Sequence, residues 1–167
     1  RSVELSEKAQ RITAWHESGH ALCALLTEGA NTPERVSIVP RGTAGGATWF
    51  AEADDEHFIT RTQAKASMVV AFGGRAAEEL LLDGDFTQGA AGDIAQATSM
   101  AERMVCEWGM SEDLGMVEYG EGDGEVFLAR DINKSKGYSE ETACKIDAEI
   151  KKLIDDSYAL AKKLLTE

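Results

Sequence analysis

His16-Glu17-Ser18-Gly19-His20 constrains this chain more than any other stretch. The five residues read H-E-x-x-H, and the pattern has chemical meaning on a helix, where positions i and i+4 stand one above the other on one face. The flanks favour one. From about Leu5 to Leu26 no proline intervenes, and Ser6, Glu7 and Lys8 lead in. Two imidazoles stacked in this way can grip one metal ion. At about 100° per residue, Glu17 falls beside the histidine face, placed to reach a water on the metal without being a ligand itself. That is the layout of a zinc peptidase: two His ligands and a Glu as general base.

The chain has three histidines, and two of them are in the motif. The bland alternative is a pair of surface imidazoles on an ordinary amphipathic helix. Ile12, Trp15, Leu22 and Leu26 lie on one flank of the histidine face and Ala21 and Leu25 on the other. The face is therefore expected to look inward, where neutral imidazoles without a partner would be costly.

The rest of the chain must supply a third ligand and leave one position for water. At 167 residues it fits one domain, 1–167, with a real core. Its formal net charge of −13 argues against a nucleic-acid or anionic-membrane surface. Cys23, Cys106 and Cys144 are odd in number and none forms C-x-x-C, so a cysteine zinc site is not expected and free thiols in a reducing compartment are. No apolar run approaches a membrane span, and Arg1-Ser2-Val3-Glu4 has neither an initiator Met nor a signal-peptide core, so the sequence reads as an excised domain.

Organisation follows from breakers and periodicity. Asn31-Thr32-Pro33 ends the first helix; Glu34 to Val39 reads as a strand, Pro40 to Gly46 as a glycine-rich loop, and Ala47 to Phe50 as a second short strand. Glu52 to Glu56 is an acidic connector, and His57 beside it reads as a surface histidine. A second helix, capped by Thr60 or Thr62, reaches about Leu82 and contains Gly73-Gly74, which suits a close approach by another helix. After a loop from Phe86 to Gly92, a third helix spans about Ala91 to Trp108 with Asp93, Ala97, Met100, Ala101 and Met104 on one face and Gly109 as its stop. Val126-Phe127-Leu128 is a strand candidate. A fourth helix, capped by Ser139, runs to about Leu165 with a core stripe from Ile146 to Leu165 that includes Tyr158. The fold class is mainly α with a small β-sheet. On these grounds two acids compete as third ligand. Glu78 is on the second helix. Asp93 is in the first turn of the third, where an acid also serves backbone amides and the helix dipole. Residue chemistry leaves the two even.

An ordered set of motifs extends the pattern: Pro40-Arg41-Gly42, Gly73-Gly74-Arg75-Ala76-Ala77-Glu78-Glu79, Thr87-Gln88-Gly89-Ala90-Ala91-Gly92-Asp93 with Ala97-Thr98, Gly109-Met110-Ser111, Leu114-Gly115, Tyr138-Ser139 and Ile146-Asp147-Ala148-Glu149. Nearly end to end, the chain resembles the peptidase domain of the FtsH family, membrane-anchored ATP-dependent zinc proteases. The resemblance implies a zincin-type metallopeptidase domain with Zn²⁺ on His16, His20 and Asp93, Glu17 as base, and Glu78 holding a ligand imidazole. It implies unfolded protein or peptide substrates, a homo-hexamer in the parent protein, and a place at the cytoplasmic face of a bacterial inner membrane or its organelle equivalent. It also places the ATPase and membrane segments ahead of Arg1; no G-x-x-x-x-G-K-[ST] is present here. Neither nucleic-acid nor direct membrane contact is expected of this segment. Gly45, Gly46, Ala47, Thr48 and Trp49 are candidates for a sheet edge that takes an extended substrate. Two departures from the family pattern stand out: Gly45 where Leu is frequent, and Ala91-Gly92 where Ser-Asn is common.

Overall fold

The computed structural model describes residues 6–40, 45–51, 58–120 and 137–167. His57, the whole acidic connector from Glu52 to Glu56, the Arg41-Gly42 part of the P-R-G motif and the strand candidate at Val126–Leu128 lie outside the described residues. Within them the architecture is mainly helical, with one small sheet. Helix α1 (Glu7–Leu26) is followed by strands β1 (Pro33–Ser37) and β2 (Ala47–Phe50). Helix α2 (Arg61–Leu81), a single 3-10 turn at Gln88–Ala90, α3 (Ala91–Cys106) and α4 (Glu140–Thr166) complete the order.

Helix starts follow local chemistry. Ser6 Oγ accepts from the Ala9 amide, and Ser139 Oγ from the Thr142 amide. At α2 the cap is Thr60 rather than Thr62. Its hydroxyl accepts from the Gln63 amide while the Gln63 side chain accepts from the Thr60 amide, a reciprocal capping box. Beyond α3, Gly109 adopts φ +60° and the Met110 amide returns to the Met104 carbonyl. This turn stops the helix at Cys106, two residues before the expected Trp108. Strand β1 is also shorter than expected. The Val39 amide is taken by the Ser37 hydroxyl, and Pro40 follows without an N–H, so the ladder cannot continue. The expected loop at 86–92 instead tightens into the 3-10 turn and runs straight into α3.

Helix α2 is central and packs against α1, α3 and α4. Its core is unusually rich in small residues: Cys23, Ala64, Ala76, Ala97, Ala101 and Ala161 surround Met68, Phe72 and Met104. Small side chains let the helices approach closely, and the closest approach is between α1 and α2. A Cβ built on Gly19 would lie 2.2 Å from the Gly73 carbonyl oxygen, and one on Gly73 would lie 2.4 Å from that of Gly19. The paired glycines of α2 thus meet a glycine inside the H-E-x-x-H turn. From α4, Ile150, Leu153, Ile154, Tyr158 and Leu165 close the far side of this core, and the Tyr158 hydroxyl donates to the Glu79 carboxylate.

One expectation for α1 needs correction. The histidine face does look inward, but not because apolar flanks are buried. Trp15, Leu22, Leu25 and Leu26 are 40–62% exposed. The buried residues are Glu17, Gly19, His20, Cys23 and Ala24. Close contact with α2 buries the small residues of this strip together with His20, and the bulky apolar ones are left outside.

The sheet pairs β1 and β2 antiparallel, with Val36 opposite Thr48 and Ser37 opposite Ala47. It packs on α1. Among the described residues no third strand pairs with β2.

Candidate metal centre

One turn of α1 and the first turn of α3 meet across the top of α2. His16 and His20 present their Nε2 atoms to each other at 3.0 Å. Asp93 Oδ2 lies 3.2 Å from His16 Nε2 and 3.6 Å from His20 Nε2. All three side chains are largely buried. The donor atoms form a small triangle, and its edges suit a tetrahedral ion: with bonds of about 2.0–2.1 Å to N and O, ligand atoms stand roughly 3.3–3.4 Å apart.

The tautomers agree with this. His20 Nδ1 is 2.7 Å from the Val70 carbonyl oxygen, so that nitrogen carries the proton and Nε2 offers a lone pair. His16 Nδ1 faces Glu78 Oε1 at 3.8 Å, longer than a hydrogen bond. Two imine nitrogens and a carboxylate oxygen in one cluster repel each other unless a cation lies between them. Burial opposes a charged His16. Its hydrogen bond and charge contact with Asp93, and the charges of Glu78 and Glu17, outweigh burial and hold its pKa above the ordinary value. The pocket is therefore electrostatically prepared for positive charge.

Each candidate residue has a definite place. Asp93 sits on the Nε2 side of the imidazoles, with no side-chain cap at the start of α3; Ala91 is already bonded back to Gln88 through the 3-10 turn. Glu78 sits on the other side, behind His16, and cannot share one ion with both Nε2 atoms. It is almost fully buried, and its Oε1 accepts the Thr87 hydroxyl at 2.6 Å. The Thr87 carbonyl in turn accepts from Arg75 Nη2 at 3.3 Å. Glu17 is buried beside the histidines, and its Oε2 accepts the Thr48 hydroxyl at 2.7 Å. Gly74 leaves room for the His16 ring; a Cβ there would come within 2.5 Å of it.

Sequence reasoning did not find Val70, Thr87 or the side-chain role of Thr48. Val70 acts through a carbonyl, which no side-chain pattern marks. Thr87 opens the T-Q-G motif and was visible as such, without its partner. Of the candidate substrate edge, Ala47 and Thr48 line the cleft, while Trp49 turns away to carry the Arg35 guanidinium 5.1 Å over its ring. Gly45 and Gly46 lie against Thr13 at the foot of β2. The cleft has a volume of about 610 Å³ and runs from the histidines past Val70 and Ala71 to Phe50, Phe58 and Ile59.

Two histidines one helical turn apart, a carboxylate from a distant helix within 3.6 Å of both and a glutamate beside them form the donor set of a metallopeptidase-type centre on a helical scaffold. The chain belongs to peptidase family M41, whose model matches residues 3–167. It is 50% identical over its full length to the ATP-dependent zinc metalloprotease FtsH of Akkermansia muciniphila, of which it covers 21%. It is 47% identical, again over its full length, to the protein of the same name from Myxococcus xanthus, of which it covers 26%. The chain therefore spans about a fifth to a quarter of the length of these relatives. No helix among the described residues is long and apolar enough to cross a membrane.

Proposed function

We propose that this domain is the proteolytic module of an ATP-dependent zinc protease and hydrolyses peptide bonds in unfolded polypeptide segments. The observation that carries the reading is the convergence of His16 Nε2, His20 Nε2 and Asp93 Oδ2, at separations of 3.0, 3.2 and 3.6 Å, beside Glu17 in an open cleft. Membership of a peptidase family and relatives named as zinc metalloproteases support it.

His16, His20 and Asp93 would hold the zinc. Zinc, when bound, supplies Lewis acidity toward a carbonyl and lowers the pKa of a water. The chain's own residues do the remaining work. The Glu17 carboxylate takes a proton from the attacking water and passes it to the leaving amine nitrogen. Val70 keeps the His20 proton on Nδ1, and Glu78 steadies His16 from behind. Substrate lies extended along the edge of β2, from Gly45 to Trp49, with main-chain pairing for affinity and the cleft for side chains.

Zinc content and casein hydrolysis test the assignment together. Glu17→Gln is expected to retain zinc and lose activity by about a hundredfold or more. Asp93→Asn is expected to lose zinc and activity, and Glu78→Gln to weaken zinc only partly. Zinc lost from Glu78→Gln and kept by Asp93→Asn would reverse the ligand assignment.

We further place the parent protein as a homo-hexamer at the cytoplasmic face of a bacterial inner membrane, or the organelle equivalent, on the strength of the family resemblance. Sedimentation and fractionation of the full-length protein test both.

A further inference from the structure

We infer that Thr48 is a positioning residue for the peptidase step: its hydroxyl holds one oxygen of the Glu17 carboxylate, so that the aim of the base is set by strand β2. The inference rests on Glu17 being the proton carrier proposed above.

The geometry is specific. Thr48 Oγ1 lies 2.7 Å from Glu17 Oε2 and 3.1 Å from the Glu17 carbonyl oxygen. A hydroxyl has one proton to give. The carbonyl belongs to the helical ladder of α1, so the shorter, charge-assisted contact to the carboxylate takes it. Glu17 Oε1 accepts no hydrogen bond among the described residues, and both Glu17 and Thr48 line the cleft with the histidines. The two oxygens are therefore inequivalent: one is tethered to the sheet and the other is left for the proton.

The approach to the strand also leaves room for the stem of the side chain. A Cβ built on Gly46 would lie 3.1 Å from Glu17 Cγ and 2.7 Å from both Thr13 Cγ2 and the Ser37 carbonyl oxygen. Gly46, just ahead of β2, thus has no room for a side chain against the Ser37 carbonyl and Thr13, and its bare backbone leaves the space that the Glu17 side chain occupies. A free glutamate on a helix has three rotatable bonds and samples several aims. Here, the hydrogen bond at Oε2 selects one. Thr48 is at the same time part of the edge proposed to receive substrate. Its backbone meets the peptide and its hydroxyl meets the base, so docking and proton transfer share one residue.

The test uses the zinc-loaded protein and a fluorogenic unstructured peptide. Thr48→Val keeps the β-branched shape and removes the hydroxyl; Thr48→Ser keeps the hydroxyl. Thr48→Val is expected to lower kcat about ten- to hundredfold, as a misaimed catalytic group does, with KM and zinc content unchanged. Thr48→Ser is expected to restore most of the rate. Added to Glu17→Gln, Thr48→Val is expected to cost nothing further. A crystal structure of Thr48→Val is expected to show the Glu17 carboxylate displaced. Full kcat in Thr48→Val, a loss that follows zinc content, a serine variant as slow as the valine one, or an unmoved carboxylate would each overturn the inference while leaving the peptidase reading intact. Full activity in Glu17→Gln would instead remove that reading, and the role of Thr48 with it.

Discussion

Glu78 has two carboxylate oxygens in the protein interior and one hydrogen bond between them. Thr87 donates to Oε1, while Oε2 is buried with no partner among the described residues. Such an arrangement is tolerable only beside positive charge, and the imidazole of His16 supplies it once Nε2 is bound to a cation or protonated. Removing the one hydrogen bond should therefore be felt twice. Thr87→Val is expected to cost about 1–3 kcal/mol of stability, read by thermal or denaturant unfolding. It should also weaken zinc by roughly ten- to a hundredfold, read by chelator competition. At this scale the H-E-x-x-H turn was fully legible, because covalent spacing on a helix decides it. The choice between Asp93 and Glu78 was not legible from residue chemistry. Both are acids on helices, and which side of the imidazole each reaches depends on how α1, α2 and α3 cross. Thr48 was visible as part of a strand. That its hydroxyl bends toward α1 is a tertiary fact.

Among the elements, the contact of α1 with α2 controls the site. Gly19 and Gly73 touch through backbone atoms, and the imidazole of His20 reaches the Val70 carbonyl one turn earlier on α2. A methyl group at Gly73 would have to displace the Gly19 carbonyl. Gly73→Ala is accordingly expected to destabilise by about 1–3 kcal/mol through overpacking. It should also lower zinc occupancy, which a merely looser core would not do; a melt and a metal assay on the same sample check both. The long helices are readable from periodicity and caps, and Gly73-Gly74 marks a place of close approach in the sequence as in the fold. What misled was size. Large apolar residues flanking the histidines suggested a buried flank, but a helix pair in backbone contact buries its smallest residues and leaves Trp15, Leu22, Leu25 and Leu26 outside. Element ends were the other weak point, since Ser37 redirects the chain by a single hydrogen bond and Gly109 by a positive φ, neither of which hydrophobic pattern reveals.

For the whole molecule, the metal would tie together segments far apart in the chain, Glu7–Leu26 and Ala91–Cys106. Binding restricted to the folded state adds about 4 kcal/mol at a free zinc concentration roughly a thousand times Kd. For a chain of this size that is roughly 8–16 °C in Tm. Chelation is expected to remove that increment reversibly. Because neighbouring carboxylates hold the His16 pKa above its ordinary value, protons displace the metal as pH falls through that raised pKa. The chelator-sensitive part of Tm should therefore shrink between about pH 8 and pH 5, as melts with and without chelator would show. The joint at Gly19 and Gly73 has a further consequence for engineering. With main chain resting on main chain, the span between the ligand turn and its support has no compressible filler. Substitutions on α4 at Ile150 and Ile154, which pack on the core away from that joint, are accordingly expected to shift the melting temperature while zinc occupancy and turnover hold, which a melt and a peptide assay on the same variant would check.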